Sequence, residues 1–224
     1  MAISFDTTTA YSNSLGNIGG GNPATATWSH TCTGSNGYLA VVLGAQGGTS
    51  STFLGVTYNG VAMTQITTQG DITVYEMFNP PTGAHNIVAS INDTGFLPFG
   101  GMASSYAGVA SSIDSSNTAT KSLSSTFGPT TTVVASNAWL VAIASTINVN
   151  TIIGVGSGTT RRNYVDNNGN VASYALADSN GTVSTGSQAL NFTSGGSANW
   201  NGIILSLKPF IPITATPSFL LKMI

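Results

Sequence analysis

The chain has 224 residues, 41% of them apolar, with five Lys and Arg against seven Asp and Glu. That length and apolar content allow one large all-β domain with a substantial core and argue against disorder. Five basic residues cannot neutralise a phosphate backbone, which excludes direct nucleic-acid binding, while 31 Thr, 28 Ser and 20 Asn describe a surface that loses little charge solvation on close contact.

The opening Met1-Ala2-Ile3-Ser4-Phe5-Asp6 has neither the basic region nor the apolar run of a secretory leader, so no signal peptide is expected. No stretch reaches the roughly 18 apolar residues of a membrane span, so no membrane partner is expected either. Short apolar runs, period-two or continuous and bounded by Gly, Asn, Pro and Ser, predict strands at 3–8, 24–31, 38–45, 55–58, 62–67, 72–78, 85–91, 102–107, 138–146, 170–177, 188–192 and 200–207. Helical periodicity is absent. The pattern predicts an all-β, antiparallel two-sheet β-sandwich occupying 1–208 as a single domain. Its core is expected to hold Trp28, Leu39, Val41, Leu43, Val74, Leu140, Ile143, Ile203 and Leu205, with Leu39, Val41 and Leu43 on one face of their strand.

Asn59-Gly60, between Val56-Thr57-Tyr58 and Val61-Ala62-Met63, predicts a two-residue hairpin, because both residues tolerate positive φ. Asn201-Gly202 interrupts an apolar stretch and marks a bulge or a close backbone approach. The Ser/Thr-rich stretch 111–132 alternates weakly and reads as a long connection from one sheet to the other. Residues 209–224 read as an extended apolar arm: Pro209, Pro212 and Pro217 keep it out of helix and central sheet. Phe210, Ile211, Ile213, Phe219, Leu220, Leu221, Met223 and Ile224 are too apolar to leave in water and are the candidate assembly contacts.

Chemistry-bearing residues are sparse. Asp6, Asp71, Glu76, Asp93, Asp114, Asp166 and Asp178 stand singly, without the paired carboxylates of a glycosidase. His30 and His85 form no metal-binding pattern, and the single Cys32 lies in a strand-like run where a buried thiol is expected. The glycine-rich run 154–158 precedes no helix and reads as a turn. The only basic pair, Arg161-Arg162, reads as a solvated strand end, with a carboxylate clamp as the alternative. No catalytic residue, metal or cofactor is expected, and the chain is not expected to be an enzyme. Trp28, Trp139 and Trp200 lie in core patterns, whereas Tyr11, Phe96 and Tyr164 sit among Gly and Asn and are the candidate surface ligand contacts.

Several runs occur in a familiar order: Ala26-Thr27-Trp28-Ser29-His30-Thr31, Gly37-Tyr38-Leu39-Ala40-Val41-Val42-Leu43-Gly44, Val56-Thr57-Tyr58-Asn59-Gly60-Val61-Ala62-Met63-Thr64, Val74-Tyr75-Glu76-Met77-Phe78-Asn79-Pro80-Pro81, Ser105-Tyr106-Ala107-Gly108-Val109, Ala138-Trp139-Leu140-Val141, and Trp200-Asn201-Gly202-Ile203-Ile204-Leu205. Together they resemble a jelly-roll-type β domain common in tailed-phage structural proteins and in bacterial surface proteins. The resemblance implies a jelly-roll-like sandwich used as a structural or adhesive module. The expectation is a structural virion protein of a bacteriophage, a capsid decoration or head-fibre subunit, made in the host cytoplasm and carried on the virion surface. Its partners would be other virion proteins, in capsid or tail, and copies of itself. The alternative is a tail-associated or surface adhesin that binds host glycans.

Overall fold

The computed structural model describes residues 1–11, 23–45, 53–92, 99–147, 153–166 and 172–212. Nine strands make up the first half: β1 (Ser4–Tyr11), β2 (Ala24–Cys32), β3 (Tyr38–Ala45), β4 (Phe53–Tyr58), β5 (Val61–Ala62), β6 (Thr64–Gln69), β7 (Ile72–Phe78), β8 (Gly83–Ile91) and β9 (Phe99–Ala107). Eight make up the second: β10 (Val109–Phe127), β11 (Thr130–Val133), β12 (Trp139–Ile147), β13 (Gly154–Val155), β14 (Thr160–Asp166), β15 (Ala172–Asp178), β16 (Gly186–Ala189) and β17 (Phe192–Pro209). All pairings are antiparallel, and no helix occurs among the described residues.

The pairing in the first half is nested. β1 pairs with β9, β2 with β8, β3 with β7 and β4 with β5, the pattern of a hairpin rolled into two sheets. The inner sheet runs β1-β9-β3-β7-β6 and the outer sheet β2-β8-β4-β5. Asn59 and Gly60, both at positive φ, turn β4 into β5 as predicted. The jelly-roll-like sandwich is therefore present, and it is present twice. The second inner sheet runs β10-β17-β12-β15-β14, the same order strand for strand, and β11 pairs with β16 as its outer sheet.

Register confirms the repeat. Tyr38 faces Tyr106 across β3 and β9, and 101 positions further on Trp139 faces Leu207 across β12 and β17. A bulge between Phe5 and Thr7 recurs between Ile113 and Ser115, and one between Gln65 and Thr67 recurs between Arg161 and Asn163. Gly83 and Gly186, which open β8 and β16, share a φ near 100° (102° and 106°).

The two inner sheets pack face to face, so the body has four sheets where the sequence pattern predicted two. β3 sends Tyr38, Ala40 and Val42 into this central core and Leu39, Val41 and Leu43 into the core beneath the first outer sheet. β12 likewise sends Trp139, Val141 and Ile143 inward and Leu140, Ala142 and Ala144 outward. Burial on both faces is why these strands read as continuous apolar runs. β14 lies over β9 and β6 over β17, contacts that exchange when the halves are swapped, giving the central interface the self-complementary geometry of an isologous dimer. All nine residues predicted for the core are buried.

One prediction is corrected. The stretch 111–132 is not a loose connection between sheets; most of it is the 19-residue strand β10, paired along β17. As the edge of its sheet it leaves both faces largely exposed, so no apolar alternation marks it. The second outer sheet has only two strands, and the far ends of β10 and β17 help to cover that flank, with Phe127 stacked on Trp200 at 5.5 Å. Gly202 makes room for this: a Cβ there would stand 2.4 Å from the Phe127 ring, the close approach expected of Asn201-Gly202.

Candidate functional site

Asp6, Asp71, Asp114 and Asp178 accept hydrogen bonds within the fold. In the β1 bulge, Asp6 accepts hydrogen bonds from the Thr33 backbone N–H at 2.9 Å, the Thr33 hydroxyl, and the Ser105 hydroxyl at 2.8 Å. Burial pushes its carboxyl up, but these donors together outweigh burial and leave it below the ordinary carboxylate value. In the equivalent β10 bulge, Asp114 accepts from the backbone N–H groups of Val134 (2.8 Å) and Ala135 (3.1 Å) and from the Ser206 hydroxyl (3.1 Å). Thus the same acid closes the same turn in both halves.

Glu76 and Asp178 form a second equivalent pair, facing Thr64 and Thr160. Asp178, fully buried, accepts from Arg162 Nε at 2.7 Å and from the Tyr106 hydroxyl at 3.2 Å. The Arg162 guanidinium lies 3.9 Å from the Phe5 ring centroid, so this pair locks one half onto the other. Asp71, in the β6–β7 turn, reaches across the same interface and accepts from the Ser145 hydroxyl (2.6 Å) and the Asn201 amide (2.8 Å); burial lifts its carboxyl above the ordinary value. Asp93 lies outside the described residues.

The remaining candidates are engaged as well. His30 is 1% exposed; its Nδ1 pairs with the Thr9 hydroxyl at 2.8 Å, and burial pushes the ring down to about 4 against a weaker upward pull from Asp6. His85 meets the Thr82 carbonyl at 3.1 Å and the Tyr58 ring edge-on. Cys32 is buried, and burial raises its thiol. Among the described residues, no group of three His, Cys, Asp or Glu side chains gathers as a metal site. Tyr11 packs against Trp28 and Phe99 with ring centroids 5.9 and 5.8 Å apart, and Tyr164 packs onto the second outer core beneath the Arg161 guanidinium. Both rings are thus held by the body; Phe96 lies outside the described residues.

The arm candidates divide. Phe210 is half-buried: its N–H donates to the Gly108 carbonyl at 2.8 Å, and its carbonyl accepts from the Met1 ammonium at 2.9 Å. Ile211 is 79% exposed and Pro212 is exposed. Ile213, Phe219, Leu220, Leu221, Met223 and Ile224 lie outside the described residues. Beside the arm root is a cleft of about 710 Å³, walled by Met1, Ala2, the turn Ala135-Ser136-Asn137 and Phe210 to Pro212. Sequence reasoning missed this turn. The signal was present as Ser35-Asn36 recurring at Ser136-Asn137 before Tyr38-Leu39 and Trp139-Leu140.

The outer face of the first outer sheet is a second feature. Thr25, Thr27, Ser29 and Thr31 form an exposed row on β2, opposite Ser90, Val88, Asn86 and Ala84 on β8, with no ionisable group in either row.

No known family matches the chain, and no curated protein matches it. Among solved structures it is similar to the B domain of a biofilm associated protein, at 10% identity over 93% of this chain and 74% of that one, with a TM-score of 0.28. It is also similar to a protein from Geobacillus kaustophilus, at 10% identity over 95% and 96% of the two chains, with a TM-score of 0.22. Likenesses at these scores carry no argument about function.

Proposed function

We propose that the chain is a non-catalytic structural subunit that acts by assembly with copies of itself and other proteins on a particle surface. The resemblance of its strand sequences to a β domain common in tailed-phage structural proteins supports a phage virion as that particle, with capsid decoration or head fibre as the proposed role and a tail-associated position as the near alternative. The observation that carries the assembly reading is the arm root, where apolar side chains pass from half-buried Phe210 to Ile211, 79% exposed. Exposed apolar surface of this kind gains about 25 cal/mol per Å² when a neighbour covers it. The hydroxyl row of β2 and the uncharged row beside it on β8 add a face that meets a neighbour with little charge desolvation. Engagement of Asp6, Asp71, Asp114 and Asp178 in fold-making hydrogen bonds supports the non-catalytic part. The glycan alternative is not favoured, because Tyr11 and Tyr164 are both packed into the body.

Sedimentation equilibrium of the full chain across a wide concentration range tests this. Reversible association is expected, and Ile211→Asp should weaken it without changing thermal stability. A chain that stays monomeric throughout, and is instead retained on a glycan array, would replace assembly with adhesion.

A further inference from the structure

The internal repeat makes the cleft beside the arm interpretable. In the first half, the equivalent turn, Gly34-Ser35-Asn36, is covered by the segment that leaves β9. Gly108 N–H donates to the Ser35 carbonyl at 3.2 Å and Val109 N–H to the Asn36 carbonyl at 2.9 Å. Ala107 sits so close to Gly34 that a Cβ on Gly34 would stand 2.3 Å from the Ala107 Cβ. In the second half the corresponding partners are the turn Ala135-Ser136-Asn137 and the segment Lys208-Pro209-Phe210.

Two residue differences forbid the same closure. Pro209 has no N–H to give to Ser136, where Gly108 gave one to Ser35. Ala135 brings the methyl that Gly34 lacks, in the place where the departing chain would have to lie. The chain takes another path, with Phe210 N–H donating to the Gly108 carbonyl, and among the described residues no backbone N–H outside the strand ladders donates to Ser136 or Asn137. The cleft of about 710 Å³ is what that detour leaves.

We propose that this cleft receives residues 213–224 of a second copy of the chain, in extended form, restoring from a neighbour the cover that residues 107–109 give the first half. This rests on the assembly reading and names its contact. Apart from Lys222 that segment is uncharged, and it carries Ile213, Phe219, Leu220, Leu221, Met223 and Ile224. This matches a cleft walled by Met1, Ala2, Ala135 and Pro212, with Ser136, Asn137 and the charged Lys208 also in its lining. Extended, 12 residues beyond Pro212 reach up to about 40 Å, enough to cross to a neighbour. Ile211 and Pro212 are exposed and themselves line the cleft, so closure of a chain on its own cleft is the competing outcome that the test separates.

The test is directed cross-linking of full-length chains. One chain carries Ser136→Cys; the other carries a cysteine at one position of 213–224 in turn, such as Leu220→Cys or Met223→Cys; buried Cys32 stays in place. Mixed under mild oxidation, at least one such pair should give a disulfide-linked dimer about tenfold above the yield with Thr25→Cys, an exposed control on the outer sheet. Yields no better than the control overturn the proposal, as does a chain bearing both cysteines that closes only on itself. In parallel, Ser136→Trp, which fills the cleft mouth, should weaken the association seen by sedimentation. If association is unchanged the cleft is wrong and the assembly reading survives; if the wild-type chain never associates, both fall.

Discussion

Gly44→Ala is the sharpest probe of how the two halves interlock. Gly44 on β3 faces Gly100 on β9, and the Tyr174 ring from the second inner sheet rests on both. A Cβ at Gly44 would stand 2.2 Å from Cε1, 2.4 Å from Cδ1 and 2.6 Å from Cζ of that ring. Tyr174 is fully buried in the central core, so the ring cannot swing into solvent; either it leaves its rotamer or the inner sheets part. Gly44 is not in the left-handed region, so alanine brings no backbone penalty and trims unfolded-state entropy by about 0.4–1 kcal/mol in its favour. Overpacking costs about 1–3 kcal/mol, and contact with a buried ring this close belongs at or above the upper end. A net loss of about 2–3 kcal/mol should lower Tm by roughly 4–12 °C for a chain of this size. Urea unfolding followed by fluorescence of Trp28, Trp139 and Trp200 reads the change, with the m-value unaltered. Gly44→Ala combined with Tyr174→Leu should recover part of the loss, a coupling of about 1 kcal/mol or more. If Gly44→Ala alone lies within about 0.5 kcal/mol of wild type, the face-to-face packing is wrong.

Two further outcomes follow from the acids and the buried histidine. Asp6→Asn and Asp114→Asn should each cost about 1.5–3 kcal/mol in denaturant unfolding, and by similar amounts, because each carboxylate holds a backbone N–H and a serine hydroxyl at the same turn; a large cost at one and none at the other would break the equivalence. His30 titrates at about 4 folded against 6.5 unfolded, so its neutral form contributes stability above pH 6.5 that is lost as pH falls through 4, about 3 kcal/mol in all. Asp6 acts in the same direction at lower pH, whereas Asp71 and Glu76, whose carboxyls burial raises, act oppositely. The His30 share is therefore read as the difference in Tm between wild type and His30→Gln from pH 7 to pH 4, which should shrink as pH falls; a constant difference refutes the buried neutral ring.

The strands were legible because their faces are chemically distinct. β2 alternates buried and exposed residue by residue, and Thr25, Thr27 and Ser29 between Ala24, Ala26 and Trp28 say so directly. β3 and β12 were legible as strands but not as parts of a four-sheet stack, since a continuous apolar run is the same whichever layer covers it. β10 was missed because an edge strand with both faces in water has no apolar period to show. The arm was legible only as composition. Its cleft was not, because it depends on Ala135 replacing Gly34 and Pro209 replacing Gly108, positions that become comparable only once pairing sets them 101 apart.

The two halves agree and differ in separate places, and the separation has a physical cause. The inner sheets share one core, so slipping any strand by one residue would turn Tyr38, Val42, Trp139 and Ile143 away from the interface they jointly fill. Strand order, the two recurring bulges and the bulge acids Asp6 and Asp114 are accordingly the same in both. The outer sheets answer only to their own halves, and there the second has a two-stranded sheet where the first has four strands. The turn after the second strand is the point of contact between these regimes: Asp114 fixes its base as Asp6 does, while among the described residues its outer side, at Ser136 and Asn137, lacks the backbone donor that Gly108 gives the first half, because Pro209 stands there. A rigid base with an open outer side is the arrangement an acceptor site needs, because the bound segment is then ordered without reordering the site.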